Sequence, residues 1–149
     1  MFKSPKEMAA FVLETVNPEF PKKVRPGDIL VAGRNFGCSS GRALATKALA
    51  ATNIGAVVAE QFSRTFYRNC LEIGLPLLEA TGVHALVNDG DEVRVDIKAA
   101  TLENLTTGKT IEGTPPSQFL LRMIEAGGLI PLMKSGSFAS GDFSAMARR

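Results

Sequence analysis

Nothing in the 149 residues approaches the ~18-residue apolar run that a membrane helix needs, so no transmembrane segment is expected. An excess of one charge is also missing. Seventeen basic residues against 15 acidic ones leave +2, too little to mark a nucleic-acid or membrane-surface binder, so small-molecule or protein partners are expected. Cysteine is scarce, with Cys38 and Cys70 alone and no Cys-x-x-Cys, and His84 is the single histidine. A zinc site takes four ligands and an iron-sulfur cluster about four thiolates, so no metal site is expected within this chain by itself. The opening Met-Phe-Lys-Ser-Pro-Lys-Glu has neither the apolar core nor the cleavage site of a signal peptide, so a cytoplasmic location and free thiols are expected. There is no internal repeat.

What is present is an ordinary globular composition, long enough for one core, with a loose tail expected from 135 onward. Met8, Phe11, Val12 and Thr15 lie at helical spacing, with Ser4 as N-cap and Pro5 at the first helical position, which predicts a helix over 4–16. Pro26-Gly27 turns the chain into an apolar strand over 28–33. Helix formers over 43–52, a strand over 56–59, a helix over 62–73 and a strand within 74–78 complete a β-α-β-α-β order, hence an α/β fold with a parallel or mixed sheet and covering helices. Beyond it, 83–87, 92–97 and 101–105 read as short antiparallel strands, 117–126 as a helix closed by Gly127-Gly128, and 130–133 as a last strand.

The most unusual stretch is Gly33-Arg-Asn-Phe-Gly-Cys-Ser-Ser-Gly-Arg42, a glycine-rich loop between strand and helix. Such a loop presents backbone N–H groups at the positive end of a helix dipole, where anions bind. Ser39, Ser40 and Arg42 add hydroxyls and a planar fork suited to a carboxylate or phosphate. The plain alternative is a tight turn whose serine caps the helix. Neither Gly-x-x-x-x-Gly-Lys-Ser/Thr nor Gly-x-Gly-x-x-Gly occurs, which disfavours nucleotides. Gly37-Cys-Ser-Ser-Gly41 does match Gly-x-Ser-x-Gly, the nucleophile elbow of α/β-hydrolases. In that reading Ser39 is the nucleophile, His84 the base, and Glu60, Glu72 or Glu79 the acid. Arg64 and Arg68 stand four apart on one helix and read as structural, His84 as a core or edge residue, and Cys38 as packing.

A wider pattern joins these segments. Pro26-Gly-Asp-Ile-Leu-Val-Ala-Gly-Arg-Asn-Phe-Gly-Cys38, Ile54-Gly-Ala-Val-Val-Ala-Glu-Gln-Phe-Ser-Arg-Thr-Phe-Tyr-Arg-Asn69 and Gly74-Leu-Pro-Leu-Leu78 resemble the small subunits of the aconitase superfamily, of the 3-isopropylmalate dehydratase type. Thr106-Thr-Gly-Lys109 and the stretch 119–129 fit as well, so the resemblance spans most of 5–133.

It implies a swivelling β/β/α domain over 1–134, closing over a large subunit that holds a 4Fe-4S cluster, and a hydro-lyase acting on a malate-like hydroxy acid, isopropylmalate first. Homoaconitate-, dimethylmalate- and citrate-type acids are the other substrates considered. It also implies a serine general base beside a second serine and an arginine. Aligned without gaps from Asn35, these fall on Ser40 as base and Arg42 as substrate ligand, with Asn35 and Gly37 in the substrate-binding loop. The family's Gly-Ser-Ser-Arg-Glu-His is here Ser39-Ser40-Gly41-Arg42-Ala43-Leu44, so the serine pair has slid by one and Ser39 can serve instead. Subunits of this type begin with a further strand bearing Asp-Thr-Asp and a substrate-selecting loop, upstream of position 1, so truncation or a divergent branch is expected. A non-catalytic paralogue is the alternative that these departures suggest.

Overall fold

The computed structural model describes residues 4–39 and 41–136. Its first layer is a parallel sheet of β1 (Ile29–Ala32), β2 (Ala56–Ala59) and β3 (Leu77–Glu79), in that order. The register pairs Ile29 with Ala56 and Val57 with Leu77. α3 (Ala43–Ala50) joins β1 to β2, and α4 (Arg64–Glu72) joins β2 to β3. β2 is Ala-Val-Val-Ala and is buried along its whole length, because both faces of a parallel sheet are covered. Alternate side chains serve different cores: Val57 and Ala59 pack with Leu49, Phe62, Phe66 and Leu77, and Val58 with Leu78, Val83, Ala100 and Leu102.

The second core lies under an antiparallel sheet of β4 (Val93–Asp96), β5 (Thr101–Asn104) and β6 (Lys109–Glu112). The expected mixture of strand directions is thus met as one parallel and one antiparallel sheet. The two meet where the Thr114 N–H donates to the Glu79 carbonyl at 2.7 Å. α6 (Gln118–Glu125) and α7 (Leu129–Lys134) pack through Met123 and Leu132 onto Leu71 of α4. The Gly127-Gly128 stop of α6 is a Schellman closure: Gly128 N–H donates to the Met123 carbonyl and Gly127 N–H to that of Ile124.

Three expected elements differ. The helix expected over 4–16 is α1 (Pro5–Ala9), capped as anticipated by the Ser4 hydroxyl accepting from Glu7 N–H. Leu13 has φ +57, which no α-helix accommodates, and 10–16 continue as turns that carry Val12 toward the core below α2 (Phe20–Lys23). Residues 83–87 were expected as strand but form the short helix α5 (Val83–Leu86). Gly82, with φ +86, starts it, and Glu60 accepts hydrogen bonds from Gly82 N–H and His84 Nδ1. The expected strand 130–133 lies in α7, because Leu129 and Leu132, one turn apart, both meet the α4–α6 core. Of the tail expected from 135, Ser135 is the C-cap of α7 and its hydroxyl donates to the Leu132 carbonyl, and 137 onward falls outside the described residues.

One buried polar side chain organises the antiparallel half. Asn104 Nδ2 donates to the Leu86 carbonyl and to Asp91 Oδ2, while its Oδ1 accepts from Thr106 and Thr107 N–H. The Asn88 backbone N–H and then Asn104 hold the Asp91 carboxyl below its usual range. That stabilisation is present at neutral pH and drains away as pH falls through the carboxylate range. Asn104→Ala orphans several of these groups and should destabilise the protein by on the order of 2–4 kcal/mol. Its acid unfolding should also become less steep. Urea titrations at neutral and mildly acidic pH check both, and a loss well under 1 kcal/mol would mean that the network carries no such weight.

Candidate functional site at the loop after the first strand

The loop 33–42 leaves the carboxyl end of β1 and enters α3, the place in an open α/β sheet where ligands bind. Its shape is set by α4 and the chain before it. Phe36 N–H donates to the Gln61 carbonyl and Ser63 N–H to that of Phe36, both at 2.9 Å, forming a one-residue parallel bridge between Phe36 and Phe62 beyond the strands. Ser63 Oγ, which caps α4 by accepting from Phe66 N–H, donates its own proton to the Gly37 carbonyl at 2.9 Å. Phe36, Phe62 and Phe66 stack behind it, the first edge-on to Phe66 with ring centroids 5.1 Å apart.

Two backbone conformations then turn the chain outward. Asn35 has φ +57 and Gly37 φ +83, and Cys38 N–H closes a turn on the Asn35 carbonyl at 3.2 Å. A Cβ on Gly37 would run into the Phe66 side chain. Gly41 is different: a Cβ there would stand 3.7 Å from Thr65 Cγ2, an ordinary contact. Packing therefore does not exclude a side chain at position 41. Asn69 Nδ2 reaches the Gly41 carbonyl over 3.4 Å. Arg42 is the N-cap of α3, in extended conformation, with no side-chain bond into the first turn.

Of the sequence-predicted residues, Asn35, Ser39 and Arg42 are exposed and Gly37 is half-buried, all on this loop; Ser40 lies outside the described residues. Asn35, Gly37 and Ser39 line one cavity of about 700 Å3, otherwise largely apolar, which reaches to α1, β1 and α3. On the far side of Arg34 a second cavity of about 340 Å3 is lined by Glu60, Gln61, Glu79, Thr81 and Thr114. The hydrolase triad does not assemble among the described residues. His84 is not in the strand run expected for it but on α5, exposed, with its Nδ1 2.8 Å from Glu60 Oε1, and Ser39 makes no hydrogen bond to it. Arg64 and Arg68 stand exposed on α4. Sequence reasoning passed over the braces Ser63 and Asn69, although both stand in the segment 54–69 that carried the family resemblance. It also passed over Arg34, inside the loop it singled out.

The two thiols differ sharply. Cys70 is fully buried in α4, and burial pushes its thiol up to about 12, the opposite of what a thiolate ligand needs. Cys38 is exposed, and among the described residues no three His, Cys, Asp or Glu side chains gather to hold a metal ion. The described residues, with one buried and one isolated thiol, therefore do not fit an iron-sulfur cluster. At mildly alkaline pH a thiol reagent should titrate one cysteine in the native protein and the second only on unfolding; native reaction of both would contradict this packing. Gly37→Ala should cost about 2–4 kcal/mol, from the left-handed backbone and the overlap with Phe66 together. Thermal unfolding measures it, and an unchanged midpoint would mean that Gly37 is not fixed by Phe66.

Relatives locate this arrangement. The aconitase C-terminal domain family matches residues 4–81. The isopropylmalate/citramalate isomerase small subunit of Methanocaldococcus jannaschii is 46% identical over 134 residues, covering 90% of this chain and 80% of that protein. The 3-isopropylmalate dehydratase small subunit of Pyrobaculum calidifontis is 45% identical over 135 residues, covering 91% and 83%. The crystal structure of a 3-isopropylmalate dehydratase from Methanocaldococcus jannaschii superposes with a TM-score of 0.85 at 34% identity, covering 95% of this chain and 83% of that one. The chain therefore belongs to the aconitase C-terminal domain family, in the branch of the 3-isopropylmalate dehydratase small subunits.

Proposed function

We propose that this chain, as a swivelling domain over 1–134, closes over a large subunit to form a hydro-lyase that interconverts 2- and 3-isopropylmalate through loss and return of water. The observation that carries the reading is a serine- and arginine-bearing loop at a helix N-terminus, braced at the carboxyl end of a parallel sheet in a chain of this family. The 4Fe-4S cluster belongs in this reading to the large subunit, since the thiols here do not fit it.

This chain's part is to take and return a carbon-bound proton and to hold a carboxylate. Ser40, or Ser39 after the one-position slide, is the base, and Arg42 pairs with a substrate carboxylate while Asn35 and Gly37 shape the loop around it. A serine hydroxyl is a poor base until its ionised form is stabilised. The α3 dipole supplies about 0.3–1 kcal/mol, up to ~2 in a partly buried site, under two pKa units. A neighbouring guanidinium lowers a pKa by a further ~1–3 units. Neither suffices alone, so the loop must hold the serine close to both α3 and Arg42. The slide to Ser39-Ser40-Gly41 asks which hydroxyl is so placed.

The test is co-expression with a large subunit under anaerobic conditions, cluster reconstitution, and an absorbance assay for the unsaturated acid. Activity should need both chains. Arg42→Lys should lower kcat/KM about 10- to 100-fold through loss of the bidentate fork. Alanine at the base should abolish turnover, and alanine at the other serine should cost far less, which assigns Ser39 or Ser40. A tight complex that turns over no malate would instead make the chain a non-catalytic paralogue.

A further inference from the structure

Arg34 has no assigned role, yet its placement is unusual. It is the second residue beyond β1, it is exposed, and it lines both cavities. Its guanidinium makes no ion pair or hydrogen bond among the described residues. Among the described residues that line the larger cavity Arg34 is the one charged residue, amid side chains such as Phe11, Val12, Leu30 and Phe36 and with Ser39 and Asn35 also in the lining. A mostly apolar cavity with a single fixed charge at its lining selects a ligand with one apolar end and one anionic end. The smaller cavity repels an anion, because Glu60 and Glu79 line it with Arg34. Their Oε1 atoms are committed elsewhere, Glu60 to Gly82 N–H and His84, and Glu79 to Phe62 N–H. A carboxylate therefore meets Arg34 more favourably from the apolar side than from the side of Glu60 and Glu79.

We propose that Arg34 is a second substrate-binding arginine, which holds the carboxylate next to the substrate's alkyl group while that alkyl group enters the cavity between α1, β1 and α3. The inference rests on the hydro-lyase reading and deepens it. In it Arg34 and Arg42, near the two ends of the loop, hold the two carboxylates of a hydroxy diacid. The apolar lining then ranks acids by alkyl size, favouring isopropyl over methyl substituents and disfavouring a third carboxylate.

The reconstituted complex tests this with malates bearing methyl, ethyl and isopropyl substituents, assayed with the native chain, Arg34→Ala and Arg34→Lys. For the native chain KM should fall about fourfold per added methylene buried. Arg34→Ala should raise KM about 10- to 100-fold for every diacid and by more than it lowers kcat, Arg34→Lys should recover part of that, and the unfolding midpoint should not move. The half-amide that lacks the carboxylate next to the alkyl group should bind the native and alanine chains alike. An active native complex whose KM ignores Arg34→Ala, or whose KM does not fall with alkyl size, would overturn the inference while leaving the hydro-lyase reading intact. A native complex inactive on every malate would overturn the reading beneath it.

Discussion

The site depends on one short bridge. Phe36 and Phe62 pair for a single residue beyond β1 and β2, and Ser63 ties the Gly37 carbonyl to the first turn of α4. Because the same hydroxyl caps α4, the loop and the helix are fixed by one group. The strands can therefore end at Ala32 and Ala59 while the two segments pair once more at Phe36 and Phe62, four residues further on one and three on the other. That lets the loop swing outward at Gly37 without fraying the sheet behind it. Phe66, packed against the two bridging phenylalanines, leaves no room for a side chain at Gly37. The conformation is thus set by packing and by backbone chirality together.

Much of the parallel half was legible in sequence, because its signals are short-range and redundant. Apolar runs of strand length alternate with helix formers, and Ser4, Pro5 and Gly127-Gly128 cap as their chemistry dictates. The misread pieces are those where a tertiary partner decides. Residues 83–87 carry no period that separates strand from helix over so few positions, and Glu60, far away in sequence, gathers Gly82 and His84 into a turn. Leu13 takes a left-handed backbone that no local rule for leucine anticipates. Leu129 and Leu132 are spaced for a helix, yet only the α4–α6 surface that receives them gives that spacing meaning.

The loop itself was found from sequence, since glycines, serines and an arginine between a strand and a helix form a recognisable chemical unit. Its supports were harder to see. Ser63 and Asn69 act on Gly37 and Gly41 across 26 and 28 residues of sequence, respectively, a relation that no spacing rule expresses. Arg34 was overlooked for another reason: an arginine after a strand is ordinary until the cavity beside it proves otherwise apolar. The space that Thr65 leaves for a side chain at Gly41 is likewise invisible to any spacing rule.

The central claim is that the loop 33–42 is the face this chain turns toward substrate and large subunit. Amide hydrogen exchange, comparing the isolated chain with the reconstituted complex with and without a substrate diacid, tests it most directly. The account predicts added protection across Arg34–Leu44 and the adjoining 8–16, with the β4–β6 sheet and α7 unchanged. Protection confined to the β4–β6 sheet or α7, with the loop exchanging as before, would contradict it.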